Sequence, residues 1–337
     1  MAESRLKALM PAFGAVARWA GALLCLGLAA WAELAIWFQA PLAPMLRMIV
    51  ALIFAAAFLA LAFSLLTGRA LMWTVPPAVL LGLTLALWWS TILPSDNRDW
   101  RPDVSRTAEI AIRGDDLIVR NVRTFDWTGA ETAPPRWEDR LYALSDLRSL
   151  DLFVSTWGDE RIAHLMPSFV FGNGPPLVLS IEIRRERSEE YSPLAGFFKK
   201  YELALVAADE SDIIKVRTNH RDETVRRFVI DVKPENAARL IAQYAALSQD
   251  LQQRPRFYHT IWTNCSTTIY TMLRAISPQD FPLDYRVLVT GYIPQYLHSI
   301  GFIDPFRPFA ETLKGADITA RARAADTAGN FSAAIRR

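Results

Sequence analysis

Cysteine is nearly missing from this chain of 337 residues: there are two, Cys25 and Cys265. Cys25 falls inside a hydrophobic run and Cys265 in a charged, soluble-type region, so the two cannot pair and a disulfide framework is excluded. Cys25 is expected to be inert, facing lipid or packing between helices. Histidine is almost as scarce, with His164, His220, His259 and His298 the only four. Neither sign of charge is in surplus: 37 basic against 35 acidic residues leaves +2. With no basic stripe interleaved with aromatics, nucleic-acid binding is excluded. There is no internal repeat. Charge itself is missing from most of the first 95 residues.

What fills that uncharged stretch is three apolar runs, roughly 19–38, 46–66 and 70–93. Each meets the length of about 20 residues that a spanning helix needs. A cleaved signal peptide fits poorly, because the runs follow one another with no cleavage-like site. Trp19, Trp37, Trp73 and the pair Trp88–Trp89 sit at run ends, as interfacial aromatics do. Arg5, Lys7 and Arg18 precede the first run and Arg69 lies between the second and third, while the loop 39–44 is uncharged. The bias places the N-terminus in the cytoplasm and everything after the third run in the periplasm. Glu33, near the outer end of its helix, reads as an interfacial carboxylate or as a functional one. Pro76–Pro77 marks a helix start or a kink.

The remainder is long enough for one buried core. Alternating apolar residues predict strands at 108–112, 117–125, 150–155, 161–171, 177–185, 213–217 and 225–232. Gly172-Asn-Gly-Pro-Pro between two of them is a hairpin signal. Pro234 opens a helix to about 252 with Ala237, Leu240, Ile241, Tyr244 and Leu247 on one face. Further helices are expected at 265–276 and 294–299. The fold class is α+β, with a mostly antiparallel sheet. The domain plan is a membrane anchor over 1–95, a folded domain over 96–311, and a flexible tail over 312–337.

Asn264 is a good N-cap, which puts Cys265 in the first turn of a helix. Free N–H groups and the helix dipole there favour a thiolate. A small buried hydrophobe is the plainer reading of a lone cysteine. A thiol nucleophile needs a base that titrates near neutrality, so a histidine is the natural partner. His164 lies in an apolar strand pattern and His259 lies close to Cys265 in sequence; both stay candidates. His220 reads as solvated and His298 as structural. Glu182 on the following strand and Asn173 in the connecting turn could orient the base. Alternation places Ser180, Glu182 and Arg184 on one face, which could equally be a solvated charged face. Asp209, Glu210 and Asp212 lack ligand spacing and read as a solvated turn, so no metal is expected.

His164, Ser168-Phe-Val-Phe-Gly, Ser180-Ile-Glu-Ile-Arg-Arg-Glu, Tyr191-Ser-Pro, Gly196-Phe-Phe-Lys-Lys-Tyr-Glu, Arg217-Thr-Asn and Asn264-Cys-Ser-Thr-Thr follow one another in order. Together they resemble the Lnb N-terminal periplasmic domain, over most of residues 98–300. The resemblance implies a papain-like, NlpC/P60-related thiol fold in permuted order, with His164 as the family's histidine and Cys265 as its cysteine. It implies lipoprotein N-acyl transfer, with lipoproteins or membrane lipids as substrates and no cofactor. Backbone N–H groups of Cys265 and Ser266 would then hold the oxyanion. His259 stands where the family motif usually has asparagine. A thiol amidase or peptidase acting on cell-wall peptides, or a non-catalytic envelope protein, is the alternative. An apolar groove would favour lipid, and an amino-acid-like pocket the amidase. If the charge bias sets topology, a reporter active only in the periplasm will be active when fused after Arg337. Activity of a cytoplasm-only reporter there would overturn the orientation.

Overall fold

The computed structural model describes residues 2–277, 279–326 and 329–337. The chain divides into two compact units: residues 1–94 with Leu194–Lys200, and the rest. The first unit has three helices, α1 (Ala2–Gln39), α2 (Pro44–Thr67) and α3 (Leu71–Thr91), each long and apolar enough to cross a membrane. Ala22, Cys25, Ala29, Ala32 and Ile36 of α1 are buried, at alternating spacings of three and four. They form a seam of small residues that lets α2 approach with Phe54, Phe58 and Ala62. Cys25 is therefore packing material. Pro76 and Pro77 lie inside α3, just past its first turn. The inserted segment joins this unit through the Phe198 ring on Phe38 at 5.5 Å and Lys199 Nζ donating to the carbonyls of Trp89 and Ile92 at 2.8 and 3.1 Å. A cation at the last carbonyls of α3 is where the helix dipole favours one.

The second unit is α+β. Its strands are β1 (Glu109–Arg113), β2 (Asp116–Arg123), β3 (Trp137–Ala143), β4 (Leu147–Thr156), β5 (Ala163–Phe171), β6 (Leu177–Arg184), β7 (Glu202–Ala208) and β8 (Thr224–Ile230). Its helices are α4 (Glu210–Lys215), α5 (Pro234–Gln253), α6 (Cys265–Ile276), α7 (Ile293–Ser299), α8 (Phe309–Ala316), α9 (Thr319–Ala324) and α10 (Phe331–Ala334). The sheet order is β1-β2-β7-β6-β5-β4-β8, with β3 on β2. Only β2 and β7 run parallel; the other pairs are antiparallel. One face packs on α5 and α6 through Leu152, Leu165, Leu179 and Leu205. The other packs Phe153, Met166, Val178 and Val206 against Ile213, Ile318, Phe331 and Ile335. Both faces are buried, so β7 reads as a continuous apolar run; alternation misses it.

The sheet is forked. β5 pairs with β4 from Leu147↔Phe171 to Thr156↔Ala163, and β6 with β7 from Val178↔Ala208 to Arg184↔Glu202. Yet β5 and β6 pair only at Ser168↔Val178 and Phe169↔Leu177, beside the turn where Gly174 takes φ +91°. The ladder stops where Pro167, with no N–H to give, would be next. Beyond it the two strands diverge.

Three expectations are overturned. Residues 213–217 form no strand: Ile213 and Ile214 are buried in α4, which runs on into a π-turn over Val216–His220. The turn 209–212 is not solvated. Asp212 accepts from Arg123 Nε and Nη2, the Phe125 N–H and the Trp127 indole, while Glu210 meets Arg336. The segment 312–337 is not a flexible tail: Ile318, Ala322 and Ala325 are buried at helical spacing, Phe331 and Ile335 join the core, and Arg336 grips Glu210 and Asp151. Alanine contributes little hydrophobicity to a pattern but fits a shallow groove. Residues 327 and 328 of this segment lie outside the described residues. Arg336→Ala leaves the buried Glu210 with only the Ser168 hydroxyl, while Asp151 keeps Arg227, and should cost about 3 kcal/mol. Denaturant unfolding of the full chain in detergent checks it, and an unchanged midpoint would mean the terminus does not hold the sheet.

Candidate active site

The fork in the sheet holds the polar core of the second unit. His164 begins β5 and Ser180 and Glu182 lie across the gap on β6, on the shared face that alternation predicts. Cys265 enters from the helix side, at the first position of α6. Asn264 caps that helix with a capping box: its Oδ1 accepts from the Thr267 N–H at 2.9 Å, while Thr267 Oγ1 accepts from the Asn264 N–H at 3.1 Å. Among the described residues the N–H groups of Cys265 and Ser266 have no acceptor.

His164 Nε2 lies 2.8 Å from Ser180 Oγ and 3.0 Å from Glu182 Oε1. Ser180 gives its own proton to Glu182 Oε1 at 2.7 Å, so its oxygen can only accept. The Nε2 position therefore carries hydrogen, which leaves Nδ1 as the free nitrogen of the ring. Cys265 interacts with that ring and with the N–H of Leu165, a strand amide that the fork leaves without a β6 partner. Arg217 closes the gap from the far face. Its Nη2 donates to Glu182 Oε1 at 3.1 Å, its Nη1 to Glu223 Oε2 at 3.3 Å, and Ser155 Oγ donates to the same Glu223 oxygen. It is held in the π-turn, a distortion frequent at functional sites. The solvated-face reading of Ser180 and Glu182 is thus corrected: Ser180 is fully buried and Glu182 is an internal counter-ion.

Electrostatics follow from this packing. Burial alone would lower the His164 imidazole, but the Glu182 carboxylate outweighs it and raises it to about 9, against opposition from Arg217. Burial raises Glu182, but His164 and Arg217 reverse this and hold it well below the usual carboxylate range. Burial pushes the Cys265 thiol up; the hydrogen bond and charge of His164 and the Leu165 N–H pull it below its ordinary value. Both shifts run toward the thiolate and imidazolium forms of the pair.

Other sequence candidates are not brought in. Asn173 lies beyond the far end of β5, exposed, its N–H donating to Asp146 Oδ2. At about 3.3 Å per residue it is roughly 30 Å from His164. His259 accepts at Nδ1 from the N–H groups of Ile261 and Trp262, both at 3.2 Å, and burial lowers it. His220 is half-buried rather than solvated, with Nε2 lacking a hydrogen-bond partner. His298 Nε2 donates to the Arg307 carbonyl at 2.8 Å, as a structural residue does. Glu223 and Ser155 went unread because a charged turn and a strand serine carry no pattern of their own.

The site opens into a cleft of about 750 Å³, lined by Tyr191, Tyr258, Ile183, Val289 and the arginines 101, 185, 217 and 221. A separate apolar pocket of about 90 Å³ lies under α6, lined by Leu165, Ile269, Leu273 and Phe302. Residues 133–291 match the family model described as Lnb N-terminal periplasmic domain, a span that contains every residue of the fork network. With three helices able to cross a membrane, the match supports a membrane-anchored protein with a periplasmic domain. No curated protein and no solved structure matches the chain.

Thiolate reactivity should follow the pair. Cys265, depressed from 9.0, is an anion above its folded pKa and loses reactivity as pH falls through it. Alkylation by iodoacetamide at pH 6 should therefore be faster than that of an ordinary thiol at about 8.5, which is almost wholly protonated there. Glu182→Gln removes the charge that holds the imidazolium and should slow alkylation at pH 6 by about tenfold or more. Equal rates in both proteins would detach the thiol from the network. The stability signs differ. His164, raised from 6.5 to about 9, stabilises fully below 6.5 and its contribution is lost as pH rises through about 9. Glu182, depressed, stabilises above 4.5 and loses its contribution only as pH falls through its folded value.

Proposed function

We propose that this is a periplasmic, membrane-anchored cysteine acyltransferase that moves a fatty acyl chain between lipoproteins or membrane lipids through a thioester. The observation that carries it is the buried imidazole fixed by Ser180 and Glu182, interacting with a thiol at a helix start. In this reading the Cys265 sulfur attacks the carbonyl carbon of an acyl ester. The oxyanion is met by the unused N–H groups of Cys265 and Ser266. His164 gives its Nδ1 proton to the departing alkoxide, and a thioester remains. An amine then attacks, His164 takes its proton, and the thiolate leaves with the amide formed. Glu182, held by Arg217, keeps the ring oriented and its cationic form stable. A histidine on a strand that precedes the cysteine helix agrees with a permuted papain-like order. The positive residues before α1 favour a cytoplasmic N-terminus, and substrates in the same leaflet need only diffuse sideways to the cleft.

The charged lining of the cleft favours a second reading, a thiol amidase acting on anionic peptides. Both readings need the thiol and the imidazole, and a vestigial site has no reason to keep their hydrogen bond.

Mass spectrometry of the Cys265 peptide after incubation with a diacylglyceryl lipoprotein should find an acyl adduct. Cys265→Ala and His164→Ala should each lower transfer by several orders of magnitude, whereas His259→Asn should be mild. A ranking in which His259→Asn is the more damaging would reassign the base. Peptide cleavage with no acyl adduct would select the amidase.

A further inference from the structure

The cleft mouth carries a pair of arginines that the chemistry above does not use. The Arg101 N–H donates to the Arg185 carbonyl at 3.0 Å, which pins the two residues side by side. Their side chains are only 16% and 17% exposed, and both turn to one carboxylate, Glu131, which is 59% exposed. Arg101 Nη2 meets Glu131 Oε2 at 3.0 Å; Arg185 Nη2 lies 3.8 Å from Oε1, too far for a hydrogen bond. Among the described residues the Arg185 guanidinium donates no hydrogen bond, and the buried Arg101 Nε has no hydrogen-bond partner. Asp103 sits 3.7 Å from that Nε and 4.0 Å from Arg221. Arg101, Arg185 and Arg221 thus share two carboxylates, Glu131 and Asp103. Burial and then the charge of Arg217 lower Arg221, against Glu223, Asp103 and Glu182.

Holding two guanidiniums together and mostly out of water is costly unless an anion joins them. Glu131 joins them poorly. It sits on the loop between β2 and β3, mostly in water, so it can swing out at little cost, while the arginines cannot follow. A group with two anionic oxygens on one centre would bridge both guanidiniums in the forked manner arginine favours. The site is in the same cleft as the thiol, and Tyr191 lies within electrostatic reach of both Cys265 and Arg185.

We propose that Arg101 and Arg185 form a phosphate subsite, guarded by Glu131, that selects a glycerophospholipid as acyl donor to Cys265. This rests on the acyltransferase reading. In a glycerophospholipid the phosphate and the acyl esters hang on one glycerol, so a phosphate at the mouth directs an ester carbonyl inward. The carbon–sulfur bond forms as the ester carbon–oxygen bond breaks, and the lysophospholipid leaves with the His164 proton.

The test compares acylation of Cys265 in the full chain by dihexanoyl phosphatidylglycerol and by uncharged dihexanoylglycerol, read by intact-mass spectrometry. The phospholipid should react faster by about tenfold to a hundredfold, the worth of one or two charge-assisted bonds. Arg101→Gln with Arg185→Gln should bring the two donors within about twofold of each other, chiefly through KM. Glu131→Gln, a change at an exposed position, should instead lower the phospholipid KM. Equal rates for both donors in the unaltered chain, or a preference that survives the double change, would overturn the subsite. Inhibition by inorganic phosphate as strong as that by glycerol 3-phosphate would overturn the lipid assignment in favour of free phosphate. If neither donor nor the diacylglyceryl lipoprotein labels Cys265, the acyltransferase reading falls. The subsite is then judged by phosphorus NMR of glycerol 3-phosphate titrated into the Cys265→Ala chain. Binding lost in the arginine variants keeps the anion site, and no binding, or stronger binding of an acidic peptide, removes it.

Discussion

A single carboxylate oxygen organises the second unit. Glu182 Oε1 receives the Ser180 hydroxyl and the Arg217 guanidinium at 2.7 and 3.1 Å and lies 3.0 Å from His164 Nε2. Each partner comes from a different direction: the same strand two residues back, the π-turn below the sheet, and β5. A buried charge is tolerable only when partners compensate it, and here three meet on one oxygen. The ring so fixed interacts with the thiol, and Arg217 passes the constraint on to Glu223 and Ser155. Remove the carboxylate and a guanidinium and an imidazolium are left together in a fork of the sheet.

The fork and the oxygen depend on one another. Two adjacent strands in a sheet normally leave no room between them for a side chain. β5 and β6 make room because their ladder ends at Pro167, and the gap is filled by polar groups from β5, β6, α6 and the π-turn. The apolar residues on either side, Leu165 and Leu179 above and Met166 and Val178 below, flank the network. Burial among them is what lets neighbouring charges raise His164 and lower Cys265.

Much of this was legible in the sequence. The spanning runs, the hairpin, α5 and the start of α6 follow from periodicity and caps, and Asn264 before Cys265 announced the helix terminus. His164, Glu182 and Cys265 were named because their chemistry needs such partners. The misses have physical causes. β7 is buried on both faces, so it does not alternate. Residues 213–217 carry Ile214 and Val216 at strand spacing but lie in a short helix under the sheet, which buries Ile213 as well. The C-terminal segment hides behind alanines, whose burial depends on groove shape rather than on hydrophobicity. Arg217 enters the sequence reading only as a strand end and within the motif Arg217-Thr-Asn, and Glu223 not at all, because nothing local shows that a charged turn is folded inward.

The fork also separates two kinds of loss. The thiol stands at a helix start with the core behind it, so a lineage that abandons the chemistry could replace it with a small side chain and keep the fold. Glu182 and Arg217 wedge the strands apart and would be retained long after. Among relatives, an intact charged network is thus a marker of architecture, and only the residue at the head of the helix reports whether the chemistry persists.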